Sequence, residues 1–200
     1  SGQSLAEFAV ITAMMATFIA TASGKLSDMM EGGKVRKTEE EMDKILVQAQ
    51  NFYQVTSTQE GRGRFPGQDK YNMAVGGYTT ELDLINDLEN FERYDDQGGE
   101  NWCSIFGISH AEASMPSGAL FVNDTIAAVE KCDACTETRY AGHDDWLYKF
   151  GGNALPSPFQ DGHYIYVVIP GSGTGEDTEP PILYIADAEN PKYLNKLLQF

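Results

Sequence analysis

A single carboxylate inside an apolar segment is the feature of this chain that points most directly to chemistry. Residues 5–23 carry one charge, Glu7, in a stretch of about the 20 residues that a helix needs to span a bilayer. A carboxylate in hydrocarbon is costly unless it is neutralised, so we expect a specific partner of opposite charge. The α-amino group of an adjacent copy would lie at a matching depth. The segment therefore predicts pairing between copies as apolar helices pack together.

The cysteines predict one disulfide with one thiol left over. The chain has three, Cys103, Cys132 and Cys135. A bridge from Cys103 to either of the others, or one within the Cys132–Cys135 loop, stays open because spacing does not fix connectivity. A zinc site that combines the thiols with a histidine is a weaker alternative, since one C-x-x-C motif lacks the second pair that such sites use.

Two acidic turns contain the oxygen ligands that calcium prefers. Neither turn has the ligand spacing of an EF-hand loop, so solvated turns are the favoured interpretation. We expect no bound cofactor or metal, with calcium as the alternative. The calcium candidates are Asp95, Asp96, Glu100, Glu176 and Asp177.

Residue patterns typical of catalysis are absent from the sequence. The three histidines are far apart, and neither a nucleophile elbow nor a phosphate-binding loop occurs. Residues 171–175 are rich in glycine but lack the lysine of a P-loop. His143 and the two aspartates that follow it predict a surface turn. We therefore expect a protein that is not an enzyme.

The overall charge restricts the classes of partner. The chain has 14 basic and 30 acidic residues and a formal net charge of −16. Such a surface repels phosphate backbones, so direct binding of nucleic acid is not expected.

The elements that carry these residues fall into three parts. Residues 1–24 predict an apolar helix for a membrane or a filament core, and residues 25–57 predict its amphipathic continuation, because apolar residues recur there at helical spacing without proline. Residues 58–200 predict a globular head that is long enough to bury a core. Each glycine in the helix costs about 1 kcal/mol relative to alanine. The expected flexible points are Gly24, Gly32 and Gly33.

The head is predicted to combine short helices with an antiparallel sheet. Residues 56–67 predict a loop that leaves the long helix, and Thr80 and Asp83 form a capping pair for a helix over 80–91. Further helices are predicted over 123–131 and after Pro191. One long helix on a small antiparallel sheet is an α+β fold. Strands are predicted over 118–122, 146–150, 163–169 and 183–186, the last two as a hairpin.

The start of the chain resembles type IV pilins and the related pseudopilins. The resemblance rests on Gly2-Gln3-Ser-Leu-Ala-Glu7-Phe8, on residues 38–53, and on Gly63-Arg-Phe-Pro66. It implies cleavage of a basic leader by a prepilin peptidase between Gly2 and Gln3, although a mature end at Ser1 stays open. It also implies the pilin roll as the fold. Small residues allow close helix approach and large ones fill between helices. The residues expected in filament assembly are Gln3, Glu7, Phe8, Ala9, Ala13 and Phe18.

The favoured function is the structural subunit of an extracellular type IV pilus-like filament that serves surface attachment. The resemblance implies a homopolymer, a pilus assembly machinery as partner, and residence in the cytoplasmic membrane before export as a surface filament. A pseudopilin of a type II secretion system is one alternative, and a membrane-anchored binding module is another. A minor pilin at the filament tip is a further one.

Overall fold

The amphipathic half of the predicted long helix is present as α1, Lys34–Glu60, in the computed structural model, which describes residues 14–16, 33–92, 101–106, 142–159 and 163–200. No proline or glycine interrupts these 27 residues. The helix ends at Gly61, whose φ of 82° is a left-handed conformation that glycine adopts without a steric penalty. The predicted loop over 56–67 therefore begins about one turn later than expected.

One face of α1 is buried against a sheet. The buried positions recur every three or four residues, which places them on one side of the helix. Complete burial of a leucine or isoleucine side chain stabilises a fold by roughly 1.5–3 kcal/mol, so this face fixes α1 to the head. The buried residues are Thr38, Met42, Ile45, Leu46, Ala49, Phe52 and Thr56.

The sheet is antiparallel and has the strand order β1-β5-β4-β3-β2. Its centre is the predicted hairpin, β3 and β4, in which Tyr164 lies opposite Asp187 and Ile169 opposite Ile182. The strands are β1 Met14–Ala16, β2 Cys103–Ser104, β3 Tyr164–Ile169, β4 Ile182–Asp187 and β5 Asn195–Gln199. The α+β class and the antiparallel sheet of the prediction are confirmed.

Both faces of the sheet are covered. Alternate residues of β3 point to opposite sides, so Tyr166 packs with the residues of α1 while Val167 packs with those of α2, Glu81–Leu88. A third helix, α3 at His143–Lys149, buries Trp146 on the α1 side. Burial on two sides explains why β3 is a continuous run of apolar and aromatic residues.

Two predicted elements have the wrong secondary structure. Residues 146–150 were expected as a strand, yet most of them belong to α3, which begins after Gly142 with a φ of 74°. The closing helix expected after Pro191 is the strand β5, whose Leu197 and Leu198 face opposite sides of the sheet. Leucines at positions 194, 197 and 198 fit a helical repeat, but pairing with β4 gives Leu197 and Leu198 a buried place in a strand, and Leu194 is buried just before it.

The remaining predictions lie largely outside the described residues, including the strand over 118–122 and the helix over 123–131. Of residues 1–32 the structure describes 14–16, and it places them as β1 beside β5. The apolar N-terminal helix is therefore not confirmed. Among α1, α2 and α3, none is long and apolar enough to cross a membrane.

Candidate functional site

Most of the residues predicted to act in processing and assembly lie outside the described part of the chain. The same holds for two of the cysteines and for the first acidic turn. Asp177 is described and exposed, in a short 3-10 turn at Gly175–Asp177. Residues outside the description are Gly2, Gln3, Glu7, Phe8, Ala9, Ala13, Phe18, Gly24, Gly32, Asp95, Asp96, Glu100, Cys132 and Cys135.

The described residues that adjoin the apolar segment form the beginning of α1. Gly33 is the N-cap and contributes no side-chain hydrogen bond, and the first turn has no acidic residue. Instead Lys34, Arg36 and Lys37 are all exposed there. Positive side chains at a helix N-terminus add to the positive end of the helix dipole, which is locally unfavourable. The first turn of α1 therefore has three exposed basic residues, and Glu39, Glu40 and Glu41 follow in the next turn.

The outer side of α1 changes character along its length. Residues 45–59 contain no charged residue, and several of their side chains are exposed. Val47 and Val55 are each 44% exposed. We call this surface the uncharged face, formed by Val47, Asn51, Gln54, Val55 and Thr58.

The inner side of α1 is tied to the last strand by a polar contact. Lys196 on β5 is only 8% exposed, and its ammonium donates to the Glu39 carbonyl at 3.2 Å and to the carboxylate of Asp43. A nearly buried ammonium needs such partners because an unpaired charge in a protein interior is costly. This contact fixes the N-terminal half of α1 to the sheet.

The C-terminal end of α1 is joined to the following loop by buried hydrogen bonds. The Thr56 hydroxyl donates to the Tyr53 carbonyl at 3.0 Å and accepts from the backbone N–H of Arg64 at 3.1 Å. The Arg64 guanidinium donates three hydrogen bonds to the Glu60 carboxylate and one to the Gln68 carbonyl at 2.9 Å. The loop that carries Gly63-Arg-Phe-Pro66 is thus a rigid continuation of the helix.

An aromatic stack covers the same junction. The rings of Tyr53 and Phe200 stack with centroids 4.1 Å apart, and Phe65 lies 5.3 Å from Tyr53. Gly63 lies directly against the Tyr53 ring, so that a Cβ at this position would overlap it. The C-terminal residue of the chain therefore packs on the end of α1.

A buried carboxyl group lies near the other end of α1. Asp187, at the end of β4, is fully buried, and burial raises its pKa to about 7. Its carboxyl group accepts hydrogen bonds from the Ser157 hydroxyl at 2.6 Å and from the Glu189 N–H, and both lower the pKa and so reduce the shift. Tyr164 lies opposite it, and burial together with Asp187 and Glu41 raises the pKa of the tyrosine. The core below α1 therefore holds a group that titrates near neutrality.

The structure describes Cys103, His143 and His163 among the cysteines and histidines of the chain. Cys103 carries a free thiol that is buried in the core, where burial raises its pKa. Its predicted partners, Cys132 and Cys135, lie outside the described residues, so the disulfide stays a prediction. His143 is buried at the start of α3 and is not the surface turn that was expected. Within the described residues, no three side chains of His, Cys, Asp or Glu converge as metal ligands.

Several residues that organise this surface were not singled out in the sequence. Thr56 and Arg64 are separated by the end of a helix, and their contact depends on where that helix stops. Asp187 directly follows a run of five apolar or aromatic residues, and it is fully buried at the end of the strand that they form. Lys196 precedes two leucines of β5 and is nearly buried beside them.

Comparisons with protein-family models, with curated proteins and with solved structures find no match to this chain.

Proposed function

We propose that this chain is the structural subunit of a type IV pilus-like filament and polymerises through its N-terminal segment. The observation that carries the proposal is the position of α1. It follows the apolar segment that contains Glu7, beginning at Lys34 after an intervening stretch over 24–33, and it is packed along a small antiparallel sheet. Because the head is fixed to the helix, the packing of the helices in a filament core would determine where each head lies on the filament surface.

In the proposed filament, residues 3–24 form a helix that continues into α1. The segment is inserted in the cytoplasmic membrane before assembly, because a bilayer satisfies apolar side chains while a helix satisfies its own backbone hydrogen bonds. The short pairing of Met14–Ala16 with β5 is released when this helix forms. The glycines at positions 24, 32 and 33 allow a bend between the two parts of the helix.

Glu7 determines the axial position of each subunit in this proposal. Its carboxylate pairs with the α-amino group of an adjacent copy, after a prepilin peptidase has removed a leader at or near Gly2. Small residues such as Ala9 and Ala13 allow the helices to approach closely, and Phe8 and Phe18 fill the space between them. The mature filament is then extracellular, with the acidic heads on its surface.

Imaging of the producing cells tests the proposal. We expect micrometre-long fibres that can be sheared from the cell surface and whose main protein, by mass spectrometry, is this chain. Deletion of the gene should remove the fibres, and expression from a plasmid should restore them. Fibres that persist after deletion, or a chain that stays entirely in the membrane fraction as monomers, would contradict the proposal and favour a membrane-anchored binding module.

A pseudopilin of a type II secretion system is the second candidate function. It is favoured by the junction at the end of α1, where residues 38–66 resemble pseudopilins and Arg64 is held by Glu60 and Gln68. This candidate predicts short filaments that stay within the cell envelope, together with a loss of protein secretion when the gene is deleted.

A further inference from the structure

The first two turns of α1 are attached to the head by fewer buried residues than the rest of the helix. Of residues 34–41, only Thr38 is buried, and Val35 packs partly against the core. From Met42 to Phe52 the buried face is apolar. Because apolar burial supplies most of the free energy that fixes a helix to a sheet, residues 34–41 can open while the remainder of α1 stays packed. We call residues 34–41 the N-terminal arm.

The start of the N-terminal arm lacks a helix cap. Its N-cap residue, Gly33, makes no side-chain hydrogen bond to the first turn. Lys34, Arg36 and Lys37 are exposed there, and positive side chains are unfavourable at the positive end of the helix dipole. The arm therefore depends largely on its contacts with the sheet.

The contact between the arm and the sheet is made by oxygen-bearing side chains. Tyr164 of β3 lies directly opposite Asp187 of β4, so the two side chains are neighbours on the face of the sheet that α1 covers. Thr38 and Glu41 of the arm lie close to the Tyr164 hydroxyl. Among the described residues, none of the Thr38 hydroxyl, the Tyr164 hydroxyl and Glu41 Oε2 has a hydrogen-bond partner at ordinary distance, although all three atoms are buried.

The groups closest to the Asp187 carboxyl are neutral donors and one carboxylate. The Ser157 hydroxyl and the backbone N–H groups of Glu189 and Asn190 donate to it and lower its pKa. The Glu189 carboxylate raises that pKa by repulsion. Burial outweighs the donors, because the ionised form loses its hydration in the core.

The charged groups on the elements packed over this site do not neutralise Asp187. The arm contributes Glu41, which is acidic. The ammonium of Lys196 on β5 is directed at the Asp43 carboxylate and the Glu39 carbonyl of α1. Among the described residues, no ion pair includes Asp187. When ionised, Asp187 is therefore a buried anion without a paired cation, which is costly unless water reaches it.

We infer that the N-terminal arm is closed on the sheet while Asp187 is protonated and opens as Asp187 ionises. Opening admits water to Tyr164 and Asp187, while α1 from Met42 onwards stays packed on the sheet. In the proposed filament, an open arm would let the head turn relative to the apolar segment. That consequence rests on the proposed function, whereas the opening is a property of the single chain.

Hydrogen exchange of the full-length chain in detergent tests the inference. Near pH 7 the backbone amides of residues 38–41 should be at least about tenfold less protected than those of residues 46–56, which exchange only when the head unfolds. Opening releases one proton from Asp187, whose pKa in the closed state is about 7. After correction for the intrinsic exchange rate, the opening constant of the arm should therefore rise about tenfold per pH unit from pH 5 and level off above pH 7.

Two variants and a control assign the pH dependence to Asp187. Asp187→Asn cannot ionise, so the protection of the arm should not change with pH. Ser157→Ala keeps the carboxyl but removes a donor that lowers its pKa, so the levelling-off should move to a higher pH. Asp177→Asn is the matched control, because Asp177 is exposed in the turn at Gly175–Asp177 and its variant should keep the pH dependence of the wild type.

Three outcomes would overturn the inference. Equal protection of residues 38–41 and 46–56 at every pH would show that the arm does not open separately. An opening constant that is independent of pH, or a pH dependence that survives in Asp187→Asn, would show that Asp187 does not control the arm. A levelling-off that stays at the wild-type pH in Ser157→Ala would show the same. None of these results depends on filament formation, so they can be told apart from a failure of the proposed function.

Discussion

At the scale of single residues, Asp187 couples the core of the head to pH. The protonated carboxyl is favoured in the folded chain because burial raises its pKa to about 7, against 3.8 for an ordinary aspartate. The folded state therefore holds a proton that the unfolded state releases above about pH 4. The contribution of this group to stability is fully present below that pH and is lost as the pH rises towards 7.

Asp187→Asn should remove this pH dependence. Asparagine keeps an oxygen for the Glu189 N–H and offers an amide to the Ser157 hydroxyl, and it cannot ionise. Between pH 4 and pH 7, the free energy of unfolding of the wild type should fall relative to the variant by an amount on the order of 4 kcal/mol. Urea denaturation of both chains at several pH values measures the difference. A constant difference across this range would show that Asp187 does not titrate there.

Gly63 is a second residue whose substitution has a specific steric consequence. Gly63→Ala places a methyl group within the Tyr53 ring, so the stack of Tyr53 on Phe200 must shift. We expect a loss of about 1–3 kcal/mol in the free energy of unfolding. Gly33→Ala is the matched control, because nothing lies within 4 Å of its new methyl group, and it should stay within about 0.5 kcal/mol of the wild type. Equal melting temperatures for the two variants would contradict the close contact at Gly63.

At the scale of elements, α1 is held to the sheet by apolar burial along its length and by one charged contact near its start. The Lys196 side chain is 9% exposed and that of Asp43 52% exposed, so the ammonium is the member of the pair that lacks water. Removing its partner leaves a poorly solvated charge, whereas replacing the lysine removes that charge altogether.

Asp43→Asn should therefore destabilise the chain more than Lys196→Met does. We expect a loss of about 1 kcal/mol for Asp43→Asn, since solvent screens the exposed carboxylate, and a smaller loss for Lys196→Met, which keeps the aliphatic stem. Urea midpoints of the two variants and of the wild type measure the order. If the urea midpoints of both variants matched that of the wild type within error, the contact between Lys196 and Asp43 would not stabilise the chain.

Helical periodicity predicted the buried side of α1 well. The positions expected from it include Met42, Ile45 and Leu46, and each is at most 1% exposed. The cap at Thr80 is also confirmed, because the Asp83 N–H donates to the Thr80 hydroxyl at 3.3 Å. The hairpin of β3 and β4 followed from its β-branched and aromatic residues. In each case the local pattern and the tertiary environment favour the same structure.

Periodicity could not predict elements whose pattern fits two structures. The leucines after Pro191 suit a helix as well as a strand that is buried on both sides, and only the pairing of Leu198 with Leu183 distinguishes them. The same limit applies to α3, whose apolar residues are few. The candidate surface on α1 required knowledge of which helical positions are exposed, since a run without charge is also typical of a buried helix.

At the scale of the whole molecule, association of a chain with a net charge of −16 must overcome repulsion between the heads. The proposed filament does so with contacts in the apolar segment, where that charge is nearly absent. Glu7 is the exception in the apolar segment, and its function as a pairing group is the central claim.

The most direct measurement compares filament yield for Glu7→Ala with that of the wild type, expressed at equal levels. The variant subunit should be processed, inserted in the membrane and folded in its head, because an alanine lowers the cost of burial in the bilayer. Its filaments should be nearly absent, since the positive amino terminus of each neighbour would lose its partner. Thr12→Ala removes a polar but uncharged group from the same segment, and this variant should assemble normally. Wild-type yields of filaments from Glu7→Ala would show that the carboxylate does not join one copy to the next.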